Sequence, residues 1–228
     1  MVLKGMSLKS LKSSGRIRLA IFDLDGTLID SAKDIAGSVN TLRKKMGQPP
    51  LTQKKVIAGI GQGVAHLLSK TLPAKILRAH PTAADDFRKI YLERSTRCTR
   101  LFPGGKAMLK TLHKRGIKLA VASNKPSILS GKILRNLGIK NLFSAVLCGD
   151  AVKNPKPHPE SIEILMKRFR ISPKETLMVG DSRFDMEAGK RAGTLLAATT
   201  FGFGTRKELA RYQPDYWINK LSQLVKTI

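Results

Sequence analysis

Acidic residues are scarce in this chain: 16 Asp and Glu stand against 42 Lys and Arg, for a formal charge of +26. Such an excess attracts polyanions and steers anionic small molecules in a salt-dependent way. The basic residues are spread along the whole sequence, however, and aromatics are only 5% of it, too few for a base-stacking platform. No helix-turn-helix, zinc-finger or RNP-type pattern accompanies the charge, so no specific nucleic acid is expected as a partner. Cysteine is nearly absent. Cys98 and Cys148 match neither a disulfide framework nor a metal-ligand spacing, which points to a reducing, cytoplasmic location. No apolar run approaches the length of about 18 residues that a membrane span needs. Residues 1–15 (MVLKGMSLKSLKSSG) lack both acids and an apolar h-region, so they read as a basic disordered tail and not as a secretory signal.

What the sequence does contain is a set of short apolar runs. Those at 17–22, 117–122, 143–148, 176–180 and 194–199 read as strands, and helix-length segments at 106–115, 127–137, 159–169 and 185–192 separate the later ones. This alternation predicts an α/β fold with a doubly wound parallel sheet. The gap between the first two runs is far longer than one helix. Ile35, Val39, Leu42 and Met46 share a helical face there, and helical patterning continues to about Thr96. The expected organisation is therefore an α/β core over 16–30 and 101–228, with a helical cap over 31–100 lying above the strand ends. The turn Phe102-Pro103-Gly104-Gly105 returns the chain to the core.

Residues suited to phosphate or metal follow these runs. After the first come Asp23 and Asp25, two apart, at the sheet edge where open α/β sheets bind ligands. Residues i and i+2 of an extended segment point to one side, so the two carboxylates repel unless a cation or a proton intervenes. Gly26 then permits a turn and Thr27 adds a hydroxyl. The second run delivers Ser123-Asn124-Lys125, a hydroxyl and turn amides placed to hold phosphoryl oxygens. After the third, Asn154-Pro155-Lys156-Pro157-His158-Pro159 restricts the backbone around Lys156, whose ammonium is expected to neutralise phosphate or a carboxylate cluster. His158 reads as structural, its ring packed between prolines. The fourth run ends in Asp181 and Asp185, four apart in a segment turning into a helix, so that four carboxylates gather at one edge. Hard oxygen ligands near a phosphate suit Mg²⁺.

These blocks, in this order, resemble the haloacid dehalogenase superfamily, and most closely its phosphoglycolate phosphatase-like branch. The resemblance rests on residues 22–31 (FDLDGTLIDS), 101–105 (LFPGG), 122–126 (ASNKP), 149–159 (GDAVKNPKPHP) and 179–185 (VGDSRFD), with 212–218 around Pro214-Asp215 also similar. It implies a Rossmann-like core with strand order near 3-2-1-4-5 and a Mg²⁺-dependent phosphomonoester hydrolase. Asp23 is then the nucleophile that forms an aspartyl-phosphate, and Asp25 the acid and base. Thr27, Ser123, Asn124, Lys156 and Gly61 contact substrate or phosphate. Mg²⁺ is held by Asp23, Asp25 (through its carbonyl), Asp181 and Asp185 (through water). The stretch 59–67 (GIGQGVAHL) resembles the family's cap loop that leans over substrate, with Lys54 and Lys55 near it as cationic partners for an anionic ester. The expected substrate is a small anionic phosphomonoester, best 2-phosphoglycolate, handled by a monomer or homodimer. Inorganic pyrophosphatase, sugar-phosphate or nucleotide phosphatase and phosphomutase share the motifs, and a polyanion-binding protein on the same scaffold is the non-enzymatic alternative. The chain departs from the family pattern in its basic surface and in the stretch 91–100, which is short and lacks an expected histidine.

Overall fold

A computed structural model describes residues 16–228; the expected tail over 1–15 lies outside the described residues. Six parallel strands form the central sheet: β1 (Leu19–Phe22), β4 (Lys118–Ser123), β5 (Ala145–Cys148), β6 (Thr176–Gly180), β7 (Leu195–Thr199) and β8 (Tyr216–Ile218). Their spatial order is β5-β4-β1-β6-β7-β8, which is the anticipated order with one more strand at the edge. That last strand escaped the sequence reading because three residues show too little periodicity. Its place is fixed from outside, by the Leu196 amide, which donates to the Asp215 carboxylate at 2.8 Å.

The four residues of β1 are all wholly buried, in keeping with a central parallel strand covered on both faces. Alternation sorts them. Ala20 and Phe22 join Leu119, Val121, Leu177 and Val179 under helices α6 (Gly105–Lys114) and α7 (Ser127–Asn136). Leu19 and Ile21 join Ala120, Met178 and Ala198 under α8 (Glu160–Phe169) and α9 (Arg183–Arg191). Each fully buried Leu, Ile or Phe contributes about 1.5–3 kcal/mol of transfer free energy, so this double layer is what holds the strand ends in place.

Between the two-residue strands β2 (Ile29–Asp30) and β3 (Arg100–Leu101), which pair antiparallel, lie five helices. These are α1 (Ala32–Lys45), α2 (Gln53–Ile57), α3 (Gly63–Thr71), α4 (Ala74–Ala79) and α5 (Ala83–Arg94). They have their own apolar cluster, in which Ile35, Val39 and Leu42 of α1 meet Leu67, Leu68, Phe87 and Ile90, and Leu129 of α7 reaches in from the sheet side. The Asp34 carboxylate ties the start of α1 to the returning chain by accepting from the amides of Cys98 and Thr99 at 2.9 and 2.8 Å. Among the described residues no helix is long and apolar enough to cross a membrane.

Candidate active site

The carboxyl ends of β1, β4 and β6 face the underside of the five-helix insert, leaving a cleft of about 70 Å³ between them. Three carboxylates stand at its floor. Asp23, Asp181 and Asp185 each offer an oxygen, all within 4.8 Å of one another. Lys156 lies among them, 4% exposed, with Nζ donating to Asp23 at 2.8 Å and to Asp185 at 2.5 Å. Burial alone would lower the Lys156 pKa, but Asp185 and Asp23 outweigh it and hold it above the usual lysine range.

One ammonium does not balance three acids. Burial raises the Asp23 carboxyl to about 6; Lys156 opposes this, while the charges of Asp185 and Asp25 add to it. Asp181 has no lysine partner among the described residues and is raised further, to about 8, by burial and then by Asp185 and Asp23. The Thr27 hydroxyl at 2.7 Å and the Phe203 amide at 2.7 Å hydrogen-bond to Asp181 and only partly offset the rise. The turn that brings these groups together requires glycine at 26. Its φ is +86°, and a Cβ there would lie 2.2 Å from an Asp181 carboxylate oxygen.

Asp185 is placed by helix capping. Ser182, at the N-cap of α9, accepts from the Asp185 amide, while the Asp185 Oδ2 accepts from the Ser182 amide at 3.0 Å and hydroxyl at 2.6 Å. Its other oxygen is thereby aimed at Lys156. The capping is done by Ser182 and Asp185, which leaves Asp181 free for the cluster.

Several expectations shift. Asp25 does not join the three acids through its side chain: the carboxylate turns to Lys125, 2.7 Å from Nζ, and accepts from Ser31 at 2.5 Å. The i, i+2 argument fails because the strand ends at Phe22, and the chain is already turning at Asp25. Thr27, expected to hold phosphate, is wholly buried, does not line the cleft and gives its hydroxyl to Asp181. His158 is exposed, so its ring is not packed between prolines; its Nδ1 accepts from the Glu160 amide where α8 begins. Lys54 and Lys55 are exposed and do not line the cleft.

Ser123, Asn124 and Gly61 do line it. The Asn124 side chain joins the two walls, with Nδ2 donating to the carbonyls of Gly61 at 2.8 Å and Lys156 at 2.7 Å. Sequence reasoning missed three contributors: Lys125, Tyr91 and the amide of Phe203. The first stood inside the quoted Ser123-Asn124-Lys125 run, where a lysine followed by Pro126 and a helix was a usable signal. Tyr91 lay in a stretch noted only for what it lacks. Nothing in the sequence pointed to the Phe203 amide. The insert side of the cleft is otherwise apolar, formed by Ile35, Ile60, Val64, Leu67 and Phe87.

Comparison with known proteins agrees with this arrangement. Residues 20–199 match the haloacid dehalogenase-like hydrolase family. A phosphoglycolate phosphatase of Aquifex aeolicus (strain VF5) is 39% identical over 210 residues, covering 92% of this chain and 96% of its own. One from Vibrio vulnificus (strain CMCP6) is 34% identical over 220 residues, covering 93% and 96%. The crystal structure of a predicted phosphoglycolate phosphatase from Haemophilus somnus 129pt superposes with a TM-score of 0.87 at 30% identity, over 95% of this chain and 99% of that one. The chain therefore belongs to the haloacid dehalogenase-like hydrolases, as a phosphatase of their phosphoglycolate phosphatase-like branch.

Proposed function

We propose that this phosphatase hydrolyses a small phosphomonoester in two displacements at Asp23, with 2-phosphoglycolate as substrate. The observation that carries the reading is the composite floor of the cleft: a buried lysine shared by Asp23 and Asp185, beside Asp181, which has no ion-pair partner among the described residues. An Asp23 oxygen attacks phosphorus as the bond from phosphorus to the ester oxygen breaks. Asp25 gives its proton to the departing alkoxide, leaving a phosphoaspartate. Water then attacks that phosphorus and yields a proton to Asp25, while the bond between phosphorus and Asp23 breaks to regenerate the carboxylate and release inorganic phosphate. Ser123 and the amide of Asn124 hold the transferring oxygens, and Lys156 offsets charge on both Asp23 and phosphate.

The donor set fits a divalent hard cation. All three acids are oxygen donors, they lie within 4.8 Å of one another, and burial, then the charges of Asp185 and Asp23, push Asp181 upward. Asp23, Asp181, Asp185 and the backbone carbonyl of Asp25 would hold Mg²⁺. Bound there, the ion would reduce repulsion between the carboxylate nucleophile and the phosphate dianion.

The five helices between β2 and β3 are read as a cap and the remainder as the core, the cap selecting the leaving group. A cleft of about 70 Å³ suits a compact ester, being far smaller than the roughly 300–1,000 Å³ typical of sites for drug-sized ligands. The proteins of Aquifex aeolicus and Vibrio vulnificus named phosphoglycolate phosphatase support the particular ester. Phosphate release from a panel of esters, with Mg²⁺ and with EDTA, tests the whole reading. The expected result is highest kcat/KM on 2-phosphoglycolate and silence in EDTA. Full activity without divalent metal, or a sugar phosphate ranked first, contradicts it.

A further inference from the structure

Lys125 is a second buried lysine at the cleft, separate from the one among the three acids, and nothing in the two displacements above uses it. It is 7% exposed and lines the cavity. Its ammonium has two oxygen partners, Asp25 Oδ2 at 2.7 Å and the Tyr91 hydroxyl at 2.6 Å, and it sits 4.5 Å from the centre of the Tyr91 ring. Tyr91 belongs to α5, the last helix of the insert, and is itself buried. The other oxygen of Asp25 accepts from Ser31, wholly buried immediately before α1, the first helix of the insert. One contact from each end of the insert therefore converges on one carboxylate, Ser31 directly and Tyr91 through Lys125.

An ion pair this deep adds little net stability, because removing two charges from water offsets most of their attraction. Its effect is geometric. The Tyr91 hydroxyl limits where the ammonium can rest, and the ammonium limits where the Asp25 oxygen can point. With the Asn124 side chain bridging to Gly61 from the neighbouring residue, the end of β4 becomes the place where the position of the insert is sensed. We infer that Lys125 is a positioning residue for Asp25, and that its bond to the Tyr91 hydroxyl makes the placement of that carboxyl conditional on the insert being closed over the cleft. This rests on the phosphatase reading in one respect, the role of Asp25 as proton donor.

Lys125→Met and Tyr91→Phe, singly and together, test it on two phosphoesters: an alkyl ester, whose leaving group needs a proton, and p-nitrophenyl phosphate, whose leaving group does not. General acid catalysis is worth about 10²–10⁴-fold, so Lys125→Met should lower kcat on the alkyl ester by about 10²-fold and on the aryl ester by less than about tenfold. Tyr91→Phe should act in the same direction more weakly, with the double variant no worse than Lys125→Met, because both changes act through one carboxylate. Equal losses on both esters, or losses that add, would overturn the inference. Hydrogen exchange supplies a readout that does not depend on turnover: amides of α5 should exchange faster in both variants, and unchanged exchange would sink the coupling. Tyr91→Phe removes a single oxygen, which keeps the test decisive if Lys125→Met does not fold. A wild-type protein that released phosphate from no ester would instead defeat the phosphatase reading, and the exchange of α5 would still decide whether the link joins insert to sheet.

Discussion

On the sheet side of the cleft, Asp23, Ser123, Lys156 and Asp181 arrive from four separate points of the chain, and all four are buried and charged or polar. On the insert side, Ile35, Val64, Leu67 and Phe87 come from three helices, and Tyr91 supplies a hydroxyl. The two walls differ in how their residues are fixed. Strand ends are held by backbone pairing on both sides: Phe22 lies in register with Val121 and Val179 at once, so a side chain one residue further on has little freedom. The insert is held by its own apolar cluster, the short β2–β3 pair and a few polar links such as Asn124 to Gly61. A rigid wall suits chemistry common to every phosphate ester, and a more loosely attached wall suits discrimination among leaving groups. If that division holds, substitutions on the sheet side should change turnover with every substrate, and those on the insert side should change which substrate is preferred.

The largest effect is expected at Asp23. Asp23→Asn removes the proposed nucleophile and should lower kcat with all esters alike by about 10⁴-fold or more, on the scale seen when other covalent nucleophiles are deleted. Stability should hold or rise. The carboxyl is already raised to about 6 by burial and by its acidic neighbours, so a neutral amide of the same shape relieves repulsion, and Lys156 keeps Asp185 as a partner. Kinetics beside a thermal melt make the check. Retained turnover would show that Asp23 is not the nucleophile, and a Tm several degrees lower would show that it is part of the scaffold.

A smaller effect separates the acids from the rest of the sheet by pH. Asp181 is raised to about 8 and Asp23 to about 6, against an unfolded value of 3.8 for each. Between those limits the metal-free native protein binds protons that the unfolded chain has released, so its stability falls as pH rises from about 4 to about 8. The contribution of these groups is complete below pH 4 and lost above pH 8. A change of about 2 kcal/mol would move Tm by roughly 4–8 °C in a domain of this size. Melts in EDTA across that window should show such a decline, and Mg²⁺ should flatten it by favouring the ionised acids. A slope that Mg²⁺ leaves unchanged would separate the cluster from metal binding.

The same contrast explains what was legible in the sequence. Strand β6 falls at the expected residues and four others lie within two of theirs, because fully buried parallel strands are uninterrupted apolar runs bounded by turn residues. The acids and Lys156 were found for the same reason: each follows a run whose end is visible. Side-chain partners were not legible. Whether Asp25 faces Asp23 or Lys125 depends on where the turn begins, and whether Thr27 meets a ligand or Asp181 depends on a residue 154 positions away. The insert was harder still. Tyr91 matters because α5 packs against α7 and places it over Lys125, and no local pattern encodes a docking between helices so far apart in the chain.

The smallest expected effect lies in the insert, at Gly61. Its φ of +122° is one that side-chain-bearing residues rarely adopt, and a Cβ there would stand 2.7 Å from the ring of Phe184. Phe184 belongs to α9, in the rigid wall, so the loop should be the part that moves. Gly61→Ala should push the Gly61 carbonyl away from the Asn124 amide, 2.8 Å distant, and loosen one of the polar links between insert and sheet. Loss of a neutral hydrogen bond is worth about 1 kcal/mol, or several-fold in binding. KM for 2-phosphoglycolate should therefore rise by about five- to tenfold, while kcat/KM for p-nitrophenyl phosphate, whose bulky ring gains room, should fall less or increase. The ratio of the two specificity constants is the measurement that sharpens the comparison. If both fall by the same factor, the loop supports the whole cleft and not the choice of substrate, and the division of labour between the two walls is lost at the point where they touch.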